Sequence, residues 1–192
     1  MMRFHICANA ARADRTSPPP RAWWVRRAPW RGRHAGLMSA GDRTFLCSLG
    51  RSGISVSKRE GDGATPASAM RVLAALGRAE RLPVAQRARG LSAILRDLGW
   101  CDAPADPNYN RPVRLPFGGG RESMWRKDAL YDICLPLDWN FRPRVMGRGS
   151  AIFLHLRRPD GGPTQGCVAL SLRDMRTLLS RGWRNAVLRV IA

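Results

Sequence analysis

Two stretches of the chain alternate apolar and polar side chains with a period of two. Tyr131, Ile133, Leu135, Leu137 and Trp139 alternate with Asp132, Cys134, Pro136 and Asp138, the pattern of a strand with one face on a core. Pro136 has no amide hydrogen to give a ladder, so this strand is expected at a sheet edge or a bulge. In the second stretch, Ala151 to Arg157, Ile152, Leu154 and Leu156 fall on one face and Phe153, His155 and Arg157 on the other. His155 therefore points away from the aliphatic side.

Shorter signals fill in the rest. Leu37 to Ser39 and Thr44 to Cys47 flank the turn Ala40-Gly41-Asp42 and predict a hairpin. Residues 58 to 66 carry the glycines and the Pro66 of a structured loop. Between 67 and 99, Met70, Val72, Leu73, Leu76, Leu91, Ile94, Leu95 and Leu98 fit a helical period. Residues 101 to 120 read as loop around one short strand, Val113 to Leu115. Ser171 is a helix cap with Asp174 three residues on, Leu172, Met175, Leu178 and Leu179 make an apolar face, and Gly182 stops the helix. A last strand is expected over Ala186 to Ile191, and no internal repeat is visible.

Composition bounds the picture. The chain has 192 residues, of which 44% are hydrophobic, enough for one domain with a core of its own. No apolar run approaches the roughly 20 residues that span a bilayer. The formal charge of +19 is almost all arginine, since Lys58 and Lys127 are the only lysines. A GC-rich genome inflates arginine throughout its proteins, while attraction to polyanions is the functional alternative. Residues 1 to 40 hold eight arginines against one aspartate, with Pro18-Pro19-Pro20 and no sustained period, so residues 1–35 are expected to be a disordered Arg/Pro-rich extension. They are either a basic arm or sequence upstream of a functional start, with Met38 as the candidate initiator.

Five cysteines, Cys7, Cys47, Cys101, Cys134 and Cys167, make an odd set without CxxC spacing. That argues against a zinc knuckle and a complete disulfide framework. One arrangement carries chemistry: His155 on a strand, a short loop, and Cys167 after Gly166 just before a helix. An imidazole beside a thiol can take its proton and release the nucleophile, and the amides of Gly166 and Cys167 could face a developing oxyanion. From spacing alone such a pair is more often ordinary, the Cys a small buried hydrophobe and the His a satisfied surface or core group. Cys134 reads as structural, on the face opposite Tyr131 and Ile133. Trp125 and Trp139 read as core or rim aromatics, and His5 and His34 carry no specific role.

The string Gly149-Ser150-Ala151-Ile152-Phe153-Leu154-His155, followed by Pro163-Thr164-Gln165-Gly166-Cys167-Val168-Ala169-Leu170, resembles the signature of the L,D-transpeptidase (YkuD-like) catalytic domain family. Lys58 to Pro66, Tyr109-Asn110-Arg111-Pro112-Val113 and Leu130-Tyr131-Asp132 look like the same family. The resemblance covers residues 36–192. It implies a mainly β catalytic domain, sandwich or barrel-like, with a few short helices, and it implies strand where the periodicity of 67 to 99 reads as helix. By resemblance Cys167 is the acylated nucleophile, His155 its base, and the Leu156 carbonyl the group that orients the ring. Ser150, Thr164, Gln165 and Asn110 would line the substrate, with a turn role open for Asn110.

The chain departs from the family at Gln165 and Ala169, where members carry His and then Arg or Asn. It departs again at Thr65-Pro66-Ala67-Ser68-Ala69-Met70, which lacks the family's glycine and aromatic.

The activity implied is acyl transfer on peptidoglycan stem peptides through a thioester, with an amine or water as acceptor. Carbapenem β-lactams would be covalent inhibitors, and no metal, organic cofactor or nucleic acid is expected. Such a substrate places the protein in the periplasm or cell envelope, although Met1 to Ala8 shows no secretory signal. The competing readings are a basic polyanion-binding module and an inactive member that binds wall peptides.

Overall fold

The structure, a computed structural model, describes residues 21–82 and 90–192. It is mainly β. The strands in chain order are β1 (Arg21–Arg27), β2 (Ala35–Ala40), β3 (Arg43–Ser48), β4 (Ile54–Ser55), β5 (Thr65–Pro66), β6 (Ala69–Arg71), β7 (Leu76–Gly77) and β8 (Ser92–Ala93). They continue with β9 (Leu98–Cys101), β10 (Pro112–Arg114), β11 (Arg121–Ser123), β12 (Ile133–Pro136), β13 (Phe153–Leu156), β14 (Val168–Leu170) and β15 (Ala186–Val190). One α-helix, α1 (Leu172–Ser180), is present among the described residues. Among the described residues the main sheet has ten strands in the order β6-β15-β1-β2-β3-β14-β13-β12-β7-β8, beside a three-stranded sheet β10-β9-β11 and the pair β4-β5.

The middle of the large sheet is covered on both faces. Ile133, Leu135, Ile152, Leu154 and Leu156 join Met175, Leu178 and Leu179 of α1 in one core. Leu98, Trp100, Met124, Cys134, Phe153 and Cys167 form a second core on the opposite face. Each large side chain removed from water here contributes about 1.5–3 kcal/mol. The helix begins where the cap predicts: Ser171 Oγ accepts from Asp174 N at 3.1 Å and donates to Asp174 Oδ2 at 2.7 Å. Gly182 follows it at φ +93°.

Four expectations change. The first is the extension over residues 1–35, because Arg21–Arg27 is a strand inside the sheet, parallel to β15 and antiparallel to β2. Trp23 and Val25 are buried there while Ala22, Trp24 and Arg26 alternate with them as exposed positions, a period of two blurred by an outward-facing tryptophan and by the arginines at both ends. Met38 is fully buried in β2, so the sheet needs the chain from Arg21 onward. Residues 1–20, including Pro18-Pro19-Pro20, His5 and Cys7, lie outside the described residues.

The second is the helix over 67 to 99. Its described part forms β6, β7, β8, the start of β9 and a 3-10 turn at Ala79–Arg81, and 83–89 lies outside the described residues. The apolar positions serve different cores: Met70 packs in the first, and Leu76, Ile94 and Leu98 in the second. A helical period is therefore accidental, and the strand implied by the resemblance is what forms.

The third concerns Pro136. β12 lies between β13 and β7, not at an edge. The ladder to β7 covers only Ile133 and Cys134, so Pro136 sits just beyond its end and needs no donor there. Its carbonyl accepts from Leu73 N at 2.9 Å. The fourth is Tyr131, which packs in the same core as Cys134, because the regular strand begins only at Ile133. Trp125 carries the guanidinium groups of Arg78 and Arg96, at 3.9 and 4.7 Å from its ring. Trp139 is partly buried against the first core.

Candidate active site

β13 and β14 run parallel with Leu154 opposite Val168 and His155 opposite Ala169. One step back, Cys167 stands opposite Phe153, and its sulfur accepts a hydrogen bond from Phe153 N at 3.3 Å. Side chains of one parity share a face, so Cys167 and His155 are diagonal neighbours on the face opposite α1. Both line one cavity of about 390 Å³. Ala169, directly across the ladder from His155, lines it too, so the small residue at this family departure leaves the space beside the ring open.

His155 is 6% exposed, and its Nδ1 lies 2.8 Å from Leu156 O. A carbonyl can only accept, so Nδ1 carries the proton and Nε2 is left as the lone pair. Tyr131 meets the ring edge-on, with centroids 5.2 Å apart. Burial pulls the imidazole down to about 4, which keeps it neutral at ordinary pH. Cys167 is 7% exposed, and burial, reinforced by the Glu122 carboxylate, pushes its thiol up to about 12. Its S–H donates to Ala151 O at 3.3 Å. The resting pair is thus thiol and imidazole, with the sulfur bonded to backbone rather than to the ring.

The turn before Cys167 explains its sequence. Gly166 adopts φ +134°, and a Cβ there would lie 2.9 Å from Ala64 O, so no other residue fits. Thr164 Oγ1 donates to Cys167 O at 2.7 Å and accepts from Gly166 N at 3.1 Å. Thr65 Oγ1 donates to the same carbonyl at 3.3 Å and accepts from Gly50 N at 2.8 Å. The Gly166 amide is therefore engaged by Thr164, which removes it from the expected oxyanion pair. Gln165 is exposed at the cavity, bonded through Oε1 to Arg51.

Ser150 lines the cavity and donates to Glu60 Oε2 at 2.8 Å, an oxygen also bonded by Tyr109 OH. Asn110 does not fill the substrate-lining role. It is 2% exposed and holds protein groups only: Trp100 Nε1 and Ala151 N on its oxygen, Trp139 O and Asn140 O on its nitrogen.

Sequence reading missed Glu60, Tyr109 and Glu122. Glu122 accepts from Tyr131 OH at 2.7 Å, and burial raises its carboxyl. The signal for Glu60 and Tyr109 lay in the two segments that carried the resemblance, but nothing local said they meet. Glu60, Asp102 and Glu122 share the cavity wall with Arg126 and Arg158. Among the described residues no three His, Cys, Asp or Glu side chains converge on a metal site, and no helix is long and apolar enough to cross a membrane.

The model of the YkuD L,D-transpeptidase catalytic domain matches residues 35–182. The chain belongs to the L,D-transpeptidase catalytic domain family. A solved structure of Mycobacterium tuberculosis L,D-transpeptidase 1 is similar at 12% identity and a TM-score of 0.38, covering 90% of this chain and 62% of that one. The chain thus spans less than two thirds of that protein. No curated protein matches it.

Proposed function

We propose that the protein transfers acyl groups between peptidoglycan stem peptides with Cys167 as nucleophile and His155 as general base. The observation that carries this is the placement of sulfur and imidazole on one sheet face in one cavity, with the ring tautomer leaving Nε2 unprotonated.

The thiol turns from Ala151 O and gives its proton to His155 Nε2 as Sγ attacks the carbonyl of the third stem residue. The tetrahedral intermediate collapses, the C–N bond to the terminal D-alanine breaks, and the imidazolium returns its proton to the departing amine. An acceptor amine then attacks the thioester, gives its proton to Nε2, and the thiolate leaves to be reprotonated. Water in the same position would release the free acid. The Cys167 amide is the oxyanion donor left once Gly166 N is bonded to Thr164. Such a general base contributes on the order of 10²–10⁴ in rate. The protein acts in the periplasm or envelope, where its stem-peptide substrate lies.

Intact-mass measurement after incubation with a carbapenem tests this. One covalent adduct is expected on the folded, reduced protein, absent in Cys167→Ala. A native protein that gains no mass refutes it.

A further inference from the structure

Asn110 and Ala151 share an unusual backbone geometry. Both are non-glycine residues in the left-handed region, at φ +55° and +51°, a conformation such residues seldom adopt unless held there. What holds Ala151 is visible: its N–H donates to Asn110 Oδ1 at 3.1 Å. Asn110 is itself fixed, accepting from Trp100 Nε1 at 3.0 Å and donating to Trp139 O and Asn140 O, both at 2.9 Å. At the other end of the same residue, Ala151 O receives the Cys167 S–H at 3.3 Å.

We propose that Asn110 is a positioning residue for Cys167: by clamping Ala151 in its left-handed turn it aims the Ala151 carbonyl at the sulfur and keeps the resting thiol bonded to backbone. The proposal rests on the reading of Cys167 as the nucleophile. A hydrogen bond given by the thiol stabilises its neutral form. The bond from Phe153 N at 3.3 Å favours the thiolate instead, and Phe153 is held by its own pairing with Pro136. Loosening Asn110 therefore weakens the restraining contact and leaves the activating one.

The other groups facing the sulfur come from separate elements. Glu122 of β11 raises its pKa, Lys58 of the loop before β5 lowers it, and Cys134 of β12, Tyr131 and His155 lie around it. The side-chain hydrogen bonds of Asn110 reach none of them.

The test is the pH profile of Cys167 alkylation by iodoacetamide, read by peptide mass so that other cysteines are separated. Asn110→Ala is expected to move the profile to lower pH and speed alkylation at neutral pH by about three- to tenfold, the scale of one lost hydrogen bond to the neutral form. Ala151→Val, whose β-branch resists the left-handed conformation and so loosens the same peptide while leaving Asn110 in place, should do the same and decides the matter if Asn110→Ala does not fold. Trp100→Phe removes another bond to Asn110 and should lower stability without moving the profile. Overlay of the Ala151→Val and wild-type profiles overturns the proposal, as does an equal shift in Trp100→Phe. Wild-type protein that resists carbapenem acylation sinks the transpeptidase reading instead, and the alkylation profile still reports on the positioning.

Discussion

Thr164→Val tests whether the turn before Cys167 is held by hydrogen bonds or merely by packing. Valine keeps the shape, so the lost interactions are two: the 2.7 Å bond to Cys167 O and acceptance from Gly166 N at 3.1 Å. A buried N–H left without a partner costs about 1–3 kcal/mol, and the lost bond to a carbonyl that keeps Thr65 about 0.5–1.5 more, so the variant should lose about 2–4 kcal/mol. For a domain of this size that is a fall in Tm of roughly 5–15 °C.

Thr65→Val removes the second donor to the same carbonyl, at 3.3 Å. In the double variant Cys167 O loses both hydroxyls, so its cost should exceed the sum of the single costs by about 1 kcal/mol. Urea denaturation of the three variants measures this. Acylation of Cys167 by a carbapenem should slow by about 10²-fold in Thr164→Val, because the sulfur no longer sits in fixed register with its neighbours. A single variant within about 0.5 kcal/mol of the parent, with strict additivity in the double, refutes the reasoning, since surface-like changes fall in that range.

Gly166→Ala should be destabilising by several kcal/mol, because φ +134° and a Cβ 2.9 Å from Ala64 O act together; a melting temperature equal to the parent's would contradict it. His155→Ala should retain the fold by circular dichroism and lose about 10²–10⁴ of the carbapenem acylation rate. A pH series gives a signed expectation: burial lowers folded His155 to about 4, so the unfolded chain binds more protons between there and the ordinary histidine range. Stability from this residue is then full above about pH 6.5 and is lost as pH falls toward 4, about 3 kcal/mol in all. Urea midpoints for the wild type and His155→Gln should converge on acidification, and a constant gap counts against it. Removing residues 21–27 takes Trp23 and Val25 out of the core and strips β2 and β15 of a partner; far-UV circular dichroism should show an unfolded chain.

How legible a segment was in the sequence depended on whether its reason for forming was local. The helix was legible because cap, apolar face and stop lie within twelve residues, Ser171 to Gly182. The alternation around His155 was legible because β13 divides its side chains cleanly between two cores. β1 was not, since an exposed tryptophan, Trp24, stands between the two buried side chains and arginines crowd both ends, which blurs the alternation. Residues 67 to 99 were misleading because their apolar side chains answer to two cores, not one.

The site shows the same division. Thr164, Gly166 and Cys167 solve one turn among themselves and can be read as a string. Glu60 and Ser150, bonded at 2.8 Å, are separated by 90 positions, and Asn110 acts on Ala151 across 41. No periodicity announces such pairs, and only the closure of the fold brings them together.

Burial pushes both members of the proposed pair toward their uncharged forms, the thiol to about 12 and the imidazole to about 4. A preformed thiolate–imidazolium pair would place two charges where desolvation opposes each. Proton transfer is therefore favourable only when the negative charge can move on at once, from sulfur to the oxygen of a bound carbonyl that faces a backbone amide. The same burial leaves the sulfur slow toward small electrophiles that offer no such oxygen. Acylation by a carbapenem should accordingly outpace alkylation by iodoacetamide at neutral pH by a wide margin. Unfolding in urea should reverse the order, since the exposed thiol returns to a pKa of about 8.5 while the site that receives the oxyanion is gone. A native protein whose Cys167 is alkylated as fast as the unfolded chain would mean that burial does not restrain the sulfur, and the coupled transfer would lose its basis.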